Sequence, residues 1–473
     1  MSHGNIAIVF DCGATNVRVA ALSEKGDLLA SESYPNNTKP DPFLPGGRIW
    51  DTGEIWDKMC RACRKVVGEI NKNDIAGVTV TTFGVDGTLF DKNGNMLYPV
   101  ISWQCERTVP IMRDIGKYIP VEELYARAGV LPFNFNTINK LIWFRENRPE
   151  LIEKTHVFLY MPSIFIHMLT GEMINDMSMA GTSMLMNQGK RSYSDHILSR
   201  IGFPEEKLHP TEEPGTVAGK VTDSAAAVTG LPAGIPVVLT GHDTQFALFG
   251  SGAGVNQPVL SSGTWEILMV RAHSFKAGRE QLENGITTEL DPKPGLFNIG
   301  NQWIASGMLE WARRLLYPDV KENVYDVMIG GASKVPPGSR GIKVIPKFYE
   351  ELRGTPGGQI LGLTMDSTRD EIYRAMLEAL AGRLREGREA LENAGGFRTG
   401  SILCVGGGSR NRLWNQIRAD FTGVPVKVID KTETTVLGAS MFVQAAAGNA
   451  ATPDEALKKV VFRTETFEPE NKF

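Results

Sequence analysis

The 473-residue chain is poor in cysteine, in net charge and in long apolar runs, and each shortage removes a class of protein. Its five cysteines (Cys12, Cys60, Cys63, Cys105 and Cys404) are too sparse for a disulfide-built secreted scaffold. They point to reduced thiols and a cytoplasmic location. Cys60 and Cys63 form a C-x-x-C pair, but no second cysteine pair or histidine pair completes a zinc site. The surrounding residues 56–67 carry an amphipathic helix pattern, so the pair reads as two core side chains on one face. Lys and Arg number 50 against 54 Asp and Glu, a formal charge of −4, which leaves no basic field to favour nucleic acid or an anionic membrane. No apolar run is long enough to cross a bilayer. The first residues lack a basic segment followed by a signal-type apolar stretch. A Walker A loop is absent, and so is the full dinucleotide fingerprint: Gly406 and Gly408 fit its first two glycines, but Asn411 stands at the third.

What remains is a globular composition, 42% hydrophobic and 22% charged, in a chain long enough for two or three cores. The apolar run 6–10 ends at Asp11, passes through Cys12-Gly13-Ala14-Thr15-Asn16 and resumes as a second β-branched run, a β-hairpin pattern. Its turn offers bare N–H groups to phosphate oxygens, and Asp11 at the strand end suits a magnesium ion. An ordinary tight hairpin with an Asp at its corner would read the same way. A helix is predicted over 52–71 with Thr52 as N-cap, then a strand over 75–82 that runs into Phe83-Gly84-Val85-Asp86-Gly87. Two readings of Asp86 stay open: a carboxylate for ligand hydroxyls, with Gly84 allowing close approach, or a turn Asp bonding its own backbone. Further helices are predicted over 135–147 and 161–170, the second closed by Gly171 with His167 in a structural place. An apolar strand ending at Thr240 delivers Gly241-His242-Asp243-Thr244-Gln245, a bunching of polar groups where α/β proteins place chemistry. There Asp243 can take a proton from a hydroxyl, and His242 and Gln245 can hold neighbouring hydroxyls. The competing reading makes Asp243 a helix N-cap.

Residues 257–270 repeat the opening pattern as strand, Ser262-Gly263-Thr264 turn and strand. Two such units, about 250 residues apart, suggest duplicated domains whose turns clamp one polyphosphate across a cleft. Asn301-Gln302-Trp303, ahead of a helix to 315, lines the same cleft or, for Trp303, fills a core. A flexible loop is expected at 351–358. Thr368 and Glu371 form a capping box for a long helix that Gly395-Gly396 ends. Finally a strand over 401–405 opens into Gly406-Gly407-Gly408-Ser409-Arg410-Asn411 and a helix over 413–421, a turn where a nucleotide can lie against bare backbone.

Taken together these motifs resemble the FGGY carbohydrate kinases over nearly the whole chain. Asp11-x-Gly13-x-Thr15-x-x-Arg18 and Ser262-Gly263-Thr264 look like the two phosphate motifs, and the Gly406 turn looks like the adenosine motif. Phe135-x-Thr137-x-x-Lys140-Leu141-x-Trp143-Phe144 and Gly358-x-Ile360-x-Gly362-Leu363 are similar to the two family patterns. The resemblance implies an α/β, two-domain actin-like ATPase (ribonuclease H-like) fold with mixed sheets and a cleft between domains. Residues 1–245 would bind sugar and phosphate, and 246–473 would bind ATP. It further implies ATP- and Mg²⁺-dependent transfer to the 1-hydroxyl of a ketohexose, with Asp243 as base and Asp11 on the metal. Gly13, Ala14, Thr15, Asn16, Arg18, Gly263 and Thr264 would surround the phosphates; Gly407, Gly408 and Asn411 the adenosine. Gly84, Asp86, His242, Asp243, Thr244 and Asn301 would hold the sugar. The expected partner is a small-molecule sugar, without nucleic acid or membrane, and a homo-oligomer stays open. A non-catalytic, ATP-dependent sugar-sensing clamp of the same fold is the alternative.

Overall fold

Two mixed sheets with a shared core strand order organise the chain in a computed structural model that describes residues 4–348 and 357–470. Residues 351–356 of the expected loop lie outside the described residues. The first sheet holds β1 (Ile6–Cys12), β2 (Asn16–Leu22), β3 (Leu28–Pro35), β4 (Ile75–Thr82), β5 (Val217–Lys220) and β6 (Pro236–His242), in the order β3-β2-β1-β4-β6-β5. The second holds β7 (Val259–Ser262), β8 (Trp265–Ala272), β9 (Thr287–Leu290), β10 (Phe297–Ile304), β11 (Ile402–Val405), β12 (Val426–Ile429) and β13 (Thr464–Phe467), in the order β9-β10-β8-β7-β11-β12-β13. In each, a first strand pairs antiparallel with the next one in the chain and parallel with a later one: β1 with β2 and β4, β7 with β8 and β11. The duplication suggested by the two hairpins is therefore a duplication of topology. Asn301-Gln302-Trp303 lies at the end of β10 and leads, as expected, into a helix that starts at Ser306, and Trp303 is core.

The helices that bear on the site are α1 (Thr52–Gly68), α2 (Thr137–Asn147), α3 (Asp243–Gly250), α4 (Ser306–Leu316), α5 (Arg369–Gly395), α6 (Arg412–Thr422) and α7 (Thr434–Ala446). Strand β1 is apolar from Ile6 to Phe10 because both of its faces are covered there. Ile8, Phe10 and Cys12 pack with Met59 and Cys63 of α1, while Ala7 and Val9 pack with Val436 and Met441 of α7. All five cysteines are buried free thiols. Burial pushes the Cys60 thiol up to about 12, so the C-x-x-C pair is core packing, not redox chemistry. Among the described residues no cluster of three metal-ligating side chains occurs, and no helix is long and apolar enough to cross a membrane.

The cap of helix α1 lies one residue earlier than expected. Asp51, not Thr52, accepts the Glu54 amide at 3.0 Å. It stops at Gly68 because Asn71 caps a separate 3₁₀ turn. The Thr368–Glu371 capping box and the left-handed Gly396 that closes α5 are present as predicted.

The expected boundary at 245/246 falls inside α3, and α7 returns to the first sheet, so the halves do not divide at one point in the sequence. The chain passes between them at 250–259, at 429–434 and at 460–464. These passages are bundled. The Asp430 amide donates to the Arg463 carbonyl at 3.1 Å, the Arg463 amide to Asp430 Oδ1 at 3.0 Å, and Phe462 packs on Leu248, Val259 and Ile429. Beside them α3 and α7 touch backbone to backbone: a Cβ on Gly250 would overlap Thr434, and one on Gly438 would overlap Phe246. Gly438→Ala should therefore push α7 off α3 and lower stability by about 1–3 kcal/mol, the cost of overpacking. Denaturant unfolding measures it, and an unchanged midpoint would refute the close-contact argument.

Candidate active site

Three adjoining cavities lead from the cleft between the halves into the second half. The first, about 340 Å³, is lined by Gly84, Trp103, Phe135, His242, Glu289 and Asn301 among others. The second, about 220 Å³, shares Thr244, Ile267 and Met269 with it and is lined by Asp243. The third, about 540 Å³, shares Val405 with the second and is lined by Gly406, Gly407, Arg410 and Lys431. The row joins the polar cluster after β6 to the glycine turn after β11.

The polar cluster is built across the cleft. His242 ends β6 and Asp243 is the first residue of α3, one position inside the helix. Asp243 Oδ1 accepts from the amide and hydroxyl of Thr244 at 2.6 and 3.2 Å, so the N-cap reading does not hold. His242 Nδ1 lies 3.0 Å from Glu289 Oε2 of β9, and its Nε2 lies 3.5 Å from Asp243 Oδ1. Gln245 donates to the same Glu289 oxygen and accepts from Asn298, the residue opposite Glu289 in the β9–β10 ladder. Burial pulls the His242 imidazole down, but the Glu289 carboxylate beside it wins and holds it above its ordinary value. Burial pushes the Asp243 carboxyl up, opposed by His242. Gly84 faces this pair closely: a Cβ there would sit 2.9 Å from His242 Nε2.

Asp86 is placed differently from the direct hydroxyl ligand expected of it. It is fully buried behind the first cavity, and both oxygens are taken. Oδ1 pairs with Lys140 of α2, while Oδ2 accepts Trp50 Nε1 at 2.6 Å and the Trp103 amide at 3.0 Å. Lys140 also donates to the Val85 carbonyl at 2.9 Å, which Thr137 bonds at 2.8 Å. Thr182 accepts the Val85 amide at 3.1 Å. These bonds hold Val85 at φ 66°, a strained conformation for a β-branched residue. Burial pushes the Asp86 carboxyl up and the Lys140 ammonium down, so the pair stands on its geometry and hydrogen bonds.

On the other side of Asp243, Asp11 and Arg18 are cross-strand neighbours of the first hairpin, bonded at 2.9 Å through Oδ2. Arg18 also pairs with Glu433 ahead of α7. Asp11 Oδ1 has no partner among the described residues. Burial pushes the Asp11 carboxyl up to about 6, with Arg18 opposing and Asp243 adding to the rise. In the turn, the Gly13 amide is closed onto the Asn16 carbonyl at 2.8 Å, and Asn36 donates to the Gly13 carbonyl at 2.9 Å. Ala14 and Thr15 form the tip between them. In the second turn the carbonyls of Gly263 and Thr264 accept the Ser306 and Ala305 amides at 3.2 and 3.0 Å, which fixes them to the start of α4.

Of the glycine turn, Gly407 faces the third cavity. Gly408 faces inward instead, where a Cβ would overlap Ser262 Oγ, and Asn411 caps α6 by accepting the Trp414 amide at 3.0 Å. Asn301 lines the first cavity and donates to the Asn284 carbonyl at 2.8 Å. Beneath both turns lies a fully buried pair, Glu266 with Arg418, joined by Ser262 at 3.0 Å and Trp303 Nε1 at 2.9 Å to the glutamate.

Models of the FGGY family of carbohydrate kinases match this chain over residues 6–250 (N-terminal domain) and 259–447 (C-terminal domain). The chain belongs to the FGGY family of carbohydrate kinases. An L-fuculokinase of Escherichia coli (strain K12) is 43% identical over 98% of this chain and 97% of its own length. One of Haemophilus influenzae is 42% identical over 94% of this chain and 95% of its own. A xylulose kinase from Rhodospirillum rubrum, 23% identical, superposes with a TM-score of 0.87 over 98% of this chain and 94% of that one, a likeness of fold. The two-domain actin-like architecture expected from the motifs is the fold of this FGGY kinase.

The sequence reading gave no structural or functional role to Glu289, Lys140, Glu266 or Arg418, although Lys140 stands in one of the family patterns. Two had a signal. Glu289 alternates with Thr288 and Leu290, which turn to the core, and Lys140 interrupts a helix buried on every side from Thr137 to Phe144. Lys140→Met leaves Asp86 buried without its partner and should cost about 3–5 kcal/mol. A drop under about 1 kcal/mol in denaturant unfolding would show the pair to be dispensable. Glu289→Gln removes the charge that raises His242. In the native protein that raised value adds stability in full below the unfolded imidazole pKa and loses it as pH rises through the folded one. The variant should therefore titrate His242 at lower pH and lose this stabilisation on the acid side; histidine NMR titration checks it, and an unmoved titration refutes it.

Proposed function

We propose that this FGGY kinase transfers the γ-phosphoryl group of ATP to the 1-hydroxyl of L-fuculose. The observation that carries the reaction is Asp243 lining the cavity that connects the His242 pocket to the glycine turn. The acceptor is read from the L-fuculokinases that match nearly the full length.

In this reading the sugar lies in the first cavity with its hydroxyls toward His242, Thr244, Gln245 and Asn301. Asp243 then meets the 1-hydroxyl and accepts its proton as the phosphoryl group transfers. The transition state is loose, so the carboxylate acts late and chiefly by position. His242, whose imidazole Glu289 holds above its ordinary value, opposes the upward push that burial puts on the Asp243 carboxyl. The tip of the first hairpin and the Ser262-Gly263-Thr264 turn flank the phosphates, and the third cavity with Arg410 and Lys431 takes the nucleoside end. Asp11 fits Mg²⁺: one carboxylate oxygen is bonded to Arg18 and the other is unpartnered, as suits an ion otherwise held by phosphates and water. Such an ion neutralises charge on the phosphate oxygens.

ADP release with ATP alone and with ATP plus L-fuculose, L-rhamnulose, D-ribulose or L-xylulose tests the reading. L-fuculose should give the largest acceleration. ADP release that no ketose changes would leave only a nucleotide-dependent clamp. Asp243→Asn should lower kcat by about two to four orders of magnitude, the usual contribution of a general base, with ATP binding nearly intact. Near-normal turnover would remove Asp243 from that role.

A further inference from the structure

The first cavity has two chemically different walls. One is the polar network of His242, Gln245 and Glu289. The other comes from the first half of the chain, with Val85, Val130, Phe133 and Phe135 at its centre. Phe133 and Phe135 stack at 4.8 Å between centroids and 13° between planes, and Trp103 packs edge-on against Phe135 at 6.1 Å.

Several polar groups beside the phenylalanines are already engaged. Asn136, on the same wall, accepts the Phe133 amide through Oδ1 at 2.7 Å and donates through Nδ2 to the Thr182 carbonyl at 3.3 Å. The Phe133 carbonyl accepts Asn139 Nδ2 at 3.0 Å, and the Leu131 amide donates to Thr287 Oγ1 at 3.2 Å. The Val85 carbonyl carries both Thr137 and Lys140. A hydroxyl brought against the phenylalanine faces gives up water and finds these groups spent, the Trp103 indole N–H at the edge of the wall remaining unpaired among the described residues, whereas a methyl group gains apolar contact. The wall is also preformed, since Asp86 fixes Trp103 and α2 fixes Val85.

We infer that the Phe133–Phe135 stack with Val85 and Val130 seats the methyl terminus of a 6-deoxyketose and selects it over the same sugar bearing a 6-hydroxyl. The inference rests on the ketose-kinase reading and adds the chemical class of the far end of the substrate. It also fixes polarity in the pocket: the methyl end lies on the aromatic wall, and the 1-hydroxyl end at Asp243.

The test compares kcat/KM for L-fuculose and for L-tagatose, which differs from it by a hydroxyl on C6, and repeats the pair with L-rhamnulose and L-fructose. The native enzyme should prefer the 6-deoxy member by about 10²-fold, the scale on which an apolar pocket rejects an added hydroxyl. Phe135→Ser should shrink the preference to a few-fold, chiefly by raising KM for the 6-deoxy sugar. Phe135→Leu, still apolar, should keep most of it. Binding of an ATP analogue confirms that each variant is folded. Equal use of deoxy and hydroxy members by the native enzyme overturns the inference, as does a Phe135→Ser ratio equal to the native one. If L-rhamnulose is preferred over L-fructose while L-fuculose is not accepted, the choice of L-fuculose falls and the role of the aromatic wall stands.

Discussion

The buried pair of Asp86 and Lys140 is the constraint on which the sugar side of the molecule depends. Two charges removed from water are expensive unless every remaining valence is used. Here they are used on structure: Trp50, the Trp103 backbone and the Val85 carbonyl are all drawn to the pair. The strained turn at Val85 persists because α2 and Thr182 over-determine it. Release the pair and the residue facing His242, the aromatic wall and the packing of α2 lose a common anchor. An ion pair that adds little net stability thus specifies the shape of a pocket.

The two hairpins at the head of each sheet share topology but differ in electrostatics. Asp11 keeps one oxygen available and feels the charge of Asp243. Glu266, two residues past the second turn, is fully buried and saturated by Arg418, Ser262 and Trp303. One turn can hold a cation beside phosphates, while the other is braced from beneath and offers only its backbone. The duplicated unit has been divided into a charged jaw and a neutral one.

Much of this was legible in the sequence, for local reasons. Strand ends followed by Gly, Ser, Thr and Asp mark turns whatever they pack against, so the hairpins, the His242–Asp243 corner and the glycine turn could be placed. The Thr368 capping box is likewise a local signal. Asp86 was misread because its partners, Trp50, Trp103 and Lys140, come from three other segments, and nothing at positions 83–87 announces them. Gly408 was assigned to a nucleotide when the space it spares belongs to Ser262. Glu289 was missed because its meaning lies in His242, 47 residues away on the other sheet. Local chemistry writes the turns; the partners of buried charges are written by the fold.

The three chain passages gathered around Phe462 also say how the halves can move. The Asp430–Arg463 bonds fasten two of the three segments and Phe462 packs towards the third, so a rotation of the halves would turn about the one line these segments share. The row of cavities beside that line would then change least near the hinge and most at its outer ends. Under such a rotation the depth at Asp243 would stay registered while the mouths open, which would make entry of two ligands and alignment of their reacting ends separate mechanical events.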